Sequence, residues 1–281
     1  MPSFDTGRRL CLLFEAGESR YAVEATSVVE VAHPGPDGDS LRGLLELKDL
    51  SRLLGGGPEV RPGSAVVLDV SPTLALRIRR VVEVADVAQA PLFLLPPTLQ
   101  QGLAPTIRSA LLHGERLYLE VSAEAVPHAP VATGLSLRRT PAVLEQVPER
   151  ALIFESQGRL FGIPLSLVSQ VVTATLAFCR FPGEHGPVAG LYPHAQALWP
   201  IYSAPALLGG SGAVASADAC HAGGVEPLFI FTELAGQGIG FCASRVLGIH
   251  QGFVPARAPG EFGCERLPAG ALFLDLQHMF S

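Results

Sequence analysis

Residues 12–31 read LLFEAGESRYAVEATSVVEV, and residues 152–171 read LIFESQGRLFGIPLSLVSQV. At one constant offset Leu12, Phe14, Glu15, Val28 and Val31 return as Leu152, Phe154, Glu155, Val168 and Val171. Tyr21 and Val23 return conservatively as Phe161 and Ile163. In each copy two apolar runs flank a turn-forming tetrapeptide, AGES at 16–19 and SQGR at 156–159, the pattern of a hairpin. A unit spelled twice in one chain points to a duplicated fold, and 281 residues are long for one domain and comfortable for two.

The repeat continues beyond the hairpin. Leu53-Leu54-Gly55-Gly56 recurs as Leu207-Leu208-Gly209-Gly210, and Leu117-Tyr118-Leu119-Glu120 as Leu272-Phe273-Leu274-Asp275. Period-2 apolar patterns predict strands over 9–16, 19–25, 64–70, 74–84 and 114–122 in the first half. In the second half they predict strands over 150–156, 159–165, 226–234, 238–250 and 270–276. Helices are expected to be short. TSVVEVA (26–32) opens on a Thr/Ser cap, its counterpart opens on Pro164, and LLELKDLSRLLG (44–55) ends on glycine. The expected division is a domain over 1–128, a Pro-punctuated linker over 129–148, and a second domain over 149–281 with a flexible loop at 209–225.

These residues carry a resemblance. The first copy offers Phe14, Tyr21, Val28 and Val31, then Arg42-Gly43, Asp49-Leu50 and Leu53-Leu54-Gly55, then Val81-Val82-Glu83-Val84. The second offers Phe154, Phe161, Val168 and Val171, then Pro200-Ile201-Tyr202, Leu207-Leu208-Gly209 and Val246-Leu247-Gly248-Ile249. The ordered set resembles the CheW domain of bacterial chemosensory adaptors, twice over. The resemblance implies a mainly β fold of two tandem CheW-like domains, each a pair of small five-stranded SH3-like barrels with short helices. It also implies a non-enzymatic task, holding chemoreceptor signalling tips against the regulatory domain of a CheA-type histidine kinase. The copies depart from the family pattern: Gly43 leads into LLELKDL, one residue shorter, with Glu46 and Lys48 inserted. His194-Ala195-Gln196 stands where Arg-Gly is expected, and Ser203 where aspartate is. A diverged scaffold for another motility or polarity protein is therefore the alternative, with a hydrolase or small-molecule sensor more remote.

Composition excludes several function classes. A net charge of −6 argues against a nucleic-acid surface, which needs a basic stripe. Arg77, Arg79 and Arg80 are the densest basic cluster, and their spacing reads as the solvated face of a strand. Lys48 is the only lysine and asparagine is absent, so neither a P-loop nor a protein-kinase site can be assembled in its usual form. The five cysteines form no C-x-x-C pair; Cys11 and Cys242, in apolar strands, read as buried reduced thiols. No apolar run reaches the ~20 residues of a membrane span, and the start reads as strand lead-in, so a soluble cytoplasmic protein is expected, with recruitment to membrane-associated receptor arrays implied by the resemblance.

Catalytic and metal-binding readings are weaker than their plain alternatives. Ser211 lacks the final glycine of a nucleophile elbow and falls in a loop. His33, Asp37 and Asp39 form a turn-rich cluster that reads as a solvated loop, and Cys179, His185 and His194 match no zinc spacing. Glu15 and Glu155 are expected to leave their hairpins for water. No catalytic residue, metal or cofactor is assigned. Protein-binding candidates are Arg42, Gly43 and Asp49, Phe93 within APLFLLPPTL, and Phe178, Arg180, Phe181 and Tyr192 within FCRFPGEHGPVAGLYP, because interfaces pair apolar anchors with arginine.

Overall fold

The computed structural model describes residues 8–34, 39–42, 44–54, 63–97, 99–100, 106–126, 149–173, 175, 177–181, 187–194, 196–208, 228–253, 271–274 and 276–280. The chain forms two compact units. The first comprises Met1–Gly134 with Leu176–His185 and Leu191–Leu198; the second comprises Leu135–Thr175, Gly186–Gly190 and Trp199–Ser281.

The first unit opens on the expected hairpin, β1 (Leu10–Ala16) and β2 (Ser19–Glu24). A 3-10 turn at Ala25–Ser27 leads to β3 (Val28–Ala32), followed by β4 (Ser40–Leu41), β5 (Leu45–Asp49) and the single helical turn Leu50–Leu53. Then come β6 (Ser64–Leu68), β7 (Leu74–Ile78), β8 (Arg80–Asp86), β9 (Leu92–Leu94), β10 (Ile107–His113) and β11 (Arg116–Val121). They assemble into a five-stranded sheet, β3-β6-β7-β5-β4, and a six-stranded sheet, β8-β1-β2-β11-β10-β9. The five-stranded sheet curls. Its two edge strands are joined by Arg42 Nη2 donating to Glu30 Oε2 at 2.9 Å, and Leu41 of β4 shares a core with Leu47, Val67, Ala75 and Ala32. A flat sheet would hold β3 and β4 four strands apart, so this contact requires barrel-like closure.

The second unit repeats the plan with β12 (Glu149–Ser156), β13 (Arg159–Pro164), a 3-10 turn at Leu165–Leu167 and β14 (Val168–Thr173). After β15 (Cys179–Arg180), which falls in the first unit, follow β16 (Val188–His194), β17 (Ala197–Tyr202) and the helical turn Ala204–Leu207. β18 (Leu228–Leu234), β19 (Gln237–Ala243), β20 (Arg245–Phe253), β21 (Leu272–Phe273) and a last turn Leu276–Met279 complete it. One sheet runs β20-β12-β13-β21, and another, six-stranded, runs β14-β18-β19-β17-β16-β15.

Register shows how deep the duplication goes. β8 and β20 both bulge against the first strand of their copy, between Leu13 and Phe14 and between Ile153 and Phe154. Tyr21 and Phe161, repeat mates, each face a parallel partner, Leu119 on β11 and Leu272 on β21, so Leu272 takes the place of Leu119 and the sequence match of 117–120 with 272–275 is two residues out of structural register. β5 runs parallel to β7 as β17 does to β19. The cores follow: Phe14 stacks on Tyr21 with ring centroids 5.7 Å apart, and Phe154 packs on Phe161 at 5.8 Å. The fold is mainly β with short helices, as the sequence implies.

Several local expectations are corrected. TSVVEVA is one 3-10 turn and then strand β3, and 44–55 is strand β5 followed by a single helical turn. β-branched Val28, Val29 and Val31 gain from sheet pairing what a four-residue helix cannot supply. The runs 74–84 and 238–250 are each two strands, because the chain changes sheets at Arg79 and Ser244. At those breaks the amides of Arg79 and Ser244 donate to the carbonyls of Glu15 and Glu155, both at 2.8 Å. Glu15 and Glu155 do not go to water. Glu15 receives Arg80 Nε at 2.7 Å, and Glu155 receives Arg245 Nε at 2.7 Å, on the strand that the bulge brings alongside. Arg77 is mostly shielded, 17% exposed, and pairs with Asp39 at 3.0 Å, so it is no solvated face. Cys242 is buried as expected but disulfide-bonded, where a reduced thiol was expected. Strand periodicity says which way a thiol points; only tertiary structure says which sulfur it meets.

Candidate protein-binding surfaces

β3 and β8 are edge strands, each paired on one side only. On β3 the alternation puts Val29 and Val31 outward, 61% and 46% exposed; on β8 it leaves Val84 58% exposed. β14 and β20 are the edge strands of the second unit's sheets. There Val171, Leu247 and Ile249 are exposed. The positions correspond. Val31 and Val171 are repeat mates, and Val84 lies opposite Leu12 as Ile249 lies opposite Leu152, themselves repeat mates. One exposed valine on a surface means nothing. Exposed aliphatic side chains recur at two matched places in both copies, on edge strands of which β3 and β8 also carry charged residues.

The charges beside these strips are paired. Glu30 of β3 holds Arg42, and Glu15 holds Arg80 through both guanidinium donors, at 2.7 and 2.8 Å. The hydrogen bonds from Arg80 hold the Glu15 carboxyl below the usual carboxylate range, against the opposing effect of burial. Glu83 of β8 lies 3.4 Å from His113 Nε2. On the first unit the strips thus lie beside the ion-paired Glu30 and Glu15, an apolar surface with a polar margin.

The residues singled out from the sequence are dispersed, although all those described belong to the first unit. Arg42, at φ +53, is largely exposed and bonded to Glu30, not to Asp49. Asp49 caps the helical turn Leu50–Leu53, its Oδ1 accepting from the Arg52 amide at 3.2 Å. Ser203 occupies the same place before Ala204–Leu207, so the Asp-to-Ser difference between copies falls at a helix start. Phe93 is half-buried on the edge strand β9, between exposed Leu92 and Leu94. Phe178, Arg180 and Phe181 lie together around β15, with Phe181 buried and Arg180 paired to Glu18. Tyr192 is half-buried on β16. Gly43, Asp37, His185 and Ser211 lie outside the described residues.

The matched strips were readable in outline. VVEV at 81–84 and VLGI at 246–249 are apolar on both strand faces, and an edge strand has only one face to bury. Little else has chemistry. Among the described residues no group of His, Cys, Asp or Glu is arranged to hold a metal ion: His33 Nδ1 is bonded to the Gly63 carbonyl and Asp39 to Arg77. Burial pushes the Cys11 thiol up to about 11 and raises that of Cys179, which keeps both protonated and poor nucleophiles. Among the described residues no helix is long and apolar enough to cross a membrane.

Residues 150–255 match the family model for the CheW-like domain. Among solved structures, the scaffolding protein TtCheW from Thermoanaerobacter tengcongensis aligns at 14% identity. The alignment covers 42% of this chain and 92% of that one, with a TM-score of 0.34. No curated protein sequence matches the chain.

Proposed function

Residues 150–255 carry a CheW-like domain, and from that premise we propose that the chain is a non-enzymatic scaffold of bacterial chemosensory signalling, acting in the cytoplasm beside membrane-associated receptor arrays. The observation that carries the reading is the pair of matched apolar edges, Val31 with Val84 and Val171 with Ile249. Each edge takes an apolar partner surface, and the family resemblance names the candidates: a chemoreceptor signalling tip and the regulatory domain of a CheA-type kinase. Arg42 and the Leu92–Leu94 edge around Phe93 offer a further rim on the first unit. Two sites on one chain raise the effective concentration for the second contact, to roughly millimolar when the spacing fits.

A second reading is favoured by a specific departure. Arg42 of the first copy is answered by His194-Ala195-Gln196 in the second, so the two copies do not offer one charge pattern. This suits a scaffold that holds two different proteins, one of them from another motility system. Calorimetry of the whole chain against a receptor tip fragment and a kinase regulatory domain, each from the same genome, separates the readings. Micromolar binding of both fragments is expected for the coupling role. Binding of neither by a folded protein would exclude it and leave the second reading, to be pursued by pull-down from the native cell.

A further inference from the structure

Residues 177–181 belong by sequence to the second copy and by structure to the first unit. They are held there at three successive residues. Arg20 donates a guanidinium N–H to the Phe178 carbonyl. The Cys179 side chain is wholly buried, with its Sγ 4.0 Å from the Arg20 carbonyl. Arg180, only 19% exposed, makes an ion pair with Glu18, and Phe181 beyond it is 6% exposed. Glu18 and Arg20 come from the turn and second strand of the β1–β2 hairpin.

The two copies are complementary in this respect and not alike. At the constant offset of the repeat, Glu18 and Arg20 become Gly158 and Leu160, so the second hairpin lacks both gripping side chains. Conversely, the described residues between β3 and β4 include no strand corresponding to β15. Among the described residues, the gripping side chains occur in copy one and the gripped segment in copy two. Divergence of two free modules would not pair these losses and gains.

We propose that residues 178–181 are an intrachain clasp: a segment that belongs by sequence to the second copy completes the first unit. The hairpin end carrying Glu18 and Arg20 is then occupied by the chain itself and is closed to outside partners. The assignment stands independently of the scaffold reading above.

The test uses the full chain with a site-specific protease sequence placed within residues 139–145, cut after folding. The two pieces of the wild type are expected to co-elute on size exclusion at low micromolar concentration. Arg180→Glu is expected to weaken their association at least tenfold and to speed alkylation of Cys179, followed by peptide mass spectrometry. Glu18→Arg with Arg180→Glu restores the ion pair in reverse and should recover most of both effects, which a merely misfolded variant could not. Separation of the wild-type pieces at micromolar concentration would overturn the clasp. So would an Arg180→Glu variant that matches the wild type in association and in Cys179 labelling, or a double variant no better than the single.

Discussion

Replacing Val84 and Ile249 by aspartate tests the matched edges directly. Val84 leaves 58% of its surface in water and Ile249 49%. Fully burying such a side chain is worth about 1.5–3 kcal/mol, so covering the remaining half on binding supplies about 1 kcal/mol at each site. Aspartate forfeits that gain and leaves a carboxylate against an apolar partner, a further cost of about 1–3 kcal/mol. The loss at each site is therefore about 2–4 kcal/mol, or roughly 30-fold and upward in Kd. Because both positions are exposed and on edges, unfolding free energy should move by no more than about 0.5 kcal/mol. Titration calorimetry with a receptor tip fragment, alongside urea unfolding, reads the two quantities separately. If both edges take the same partner, V84D alone should remove one class of site and leave the other, and V84D/I249D should remove both. A double variant that binds within twofold of the wild type, at unchanged stability, would refute the assignment of these edges as docking surfaces.

Other consequences are quicker to check. Glu15 sits below its ordinary value of 4.5 because Arg80 stabilises its charged form. Its contribution is thus present above pH 4.5 and lost as pH falls through the lower folded value. E15Q should be less stable than wild type by about 0–1 kcal/mol at pH 7, since Arg80 is solvated, and the gap should close as urea midpoints are followed from pH 5 to pH 3. A Cβ at Gly238 would lie 2.1 Å from Cε2 of Trp199; G238A should cost about 1–3 kcal/mol by overpacking, with a lower Tm and a shifted tryptophan emission. Cys11, buried and with its thiol pushed up to about 11, should resist iodoacetamide at pH 8 in the folded chain and react once urea unfolds it; prompt native labelling would contradict its placement.

How much could be read in advance varies by element, for physical reasons. Alternation fixed the two hairpins and the closing strands, because a strand with a buried face must repeat with period 2. The repeat of LLFE at 12–15 announced the duplication, and the structure explains its least expected member: Glu15 and Glu155 persist because each meets an arginine across a bulge. That pairing joins residues 65 and 90 positions apart, a separation at which local pattern carries no information. Pattern alone suggests helix for β3 and β5 for a related reason. Short apolar segments satisfy both periods over a single turn, and only the ladder that receives them decides.

Binding surfaces show the same division. Composition by itself could set aside nucleic acid, phosphate-loop and kinase chemistry, since charge and residue types are properties of the chain whatever its shape. The ordered motifs pointed to a scaffold family. Which valines face water was decided by tertiary structure: on the edge strand β8, Val84 is 58% exposed while its neighbour Ala85 is 6% exposed. The fate of FCRFP was decided later still. In sequence Phe178, Arg180 and Phe181 look like anchors for an outside partner, since an apolar-basic cluster has the same composition whether it grips another protein or its own chain. Folding brings Glu18 and Arg20 to that segment from more than 150 residues away, and charge complementarity at that distance becomes visible only once the backbone has closed.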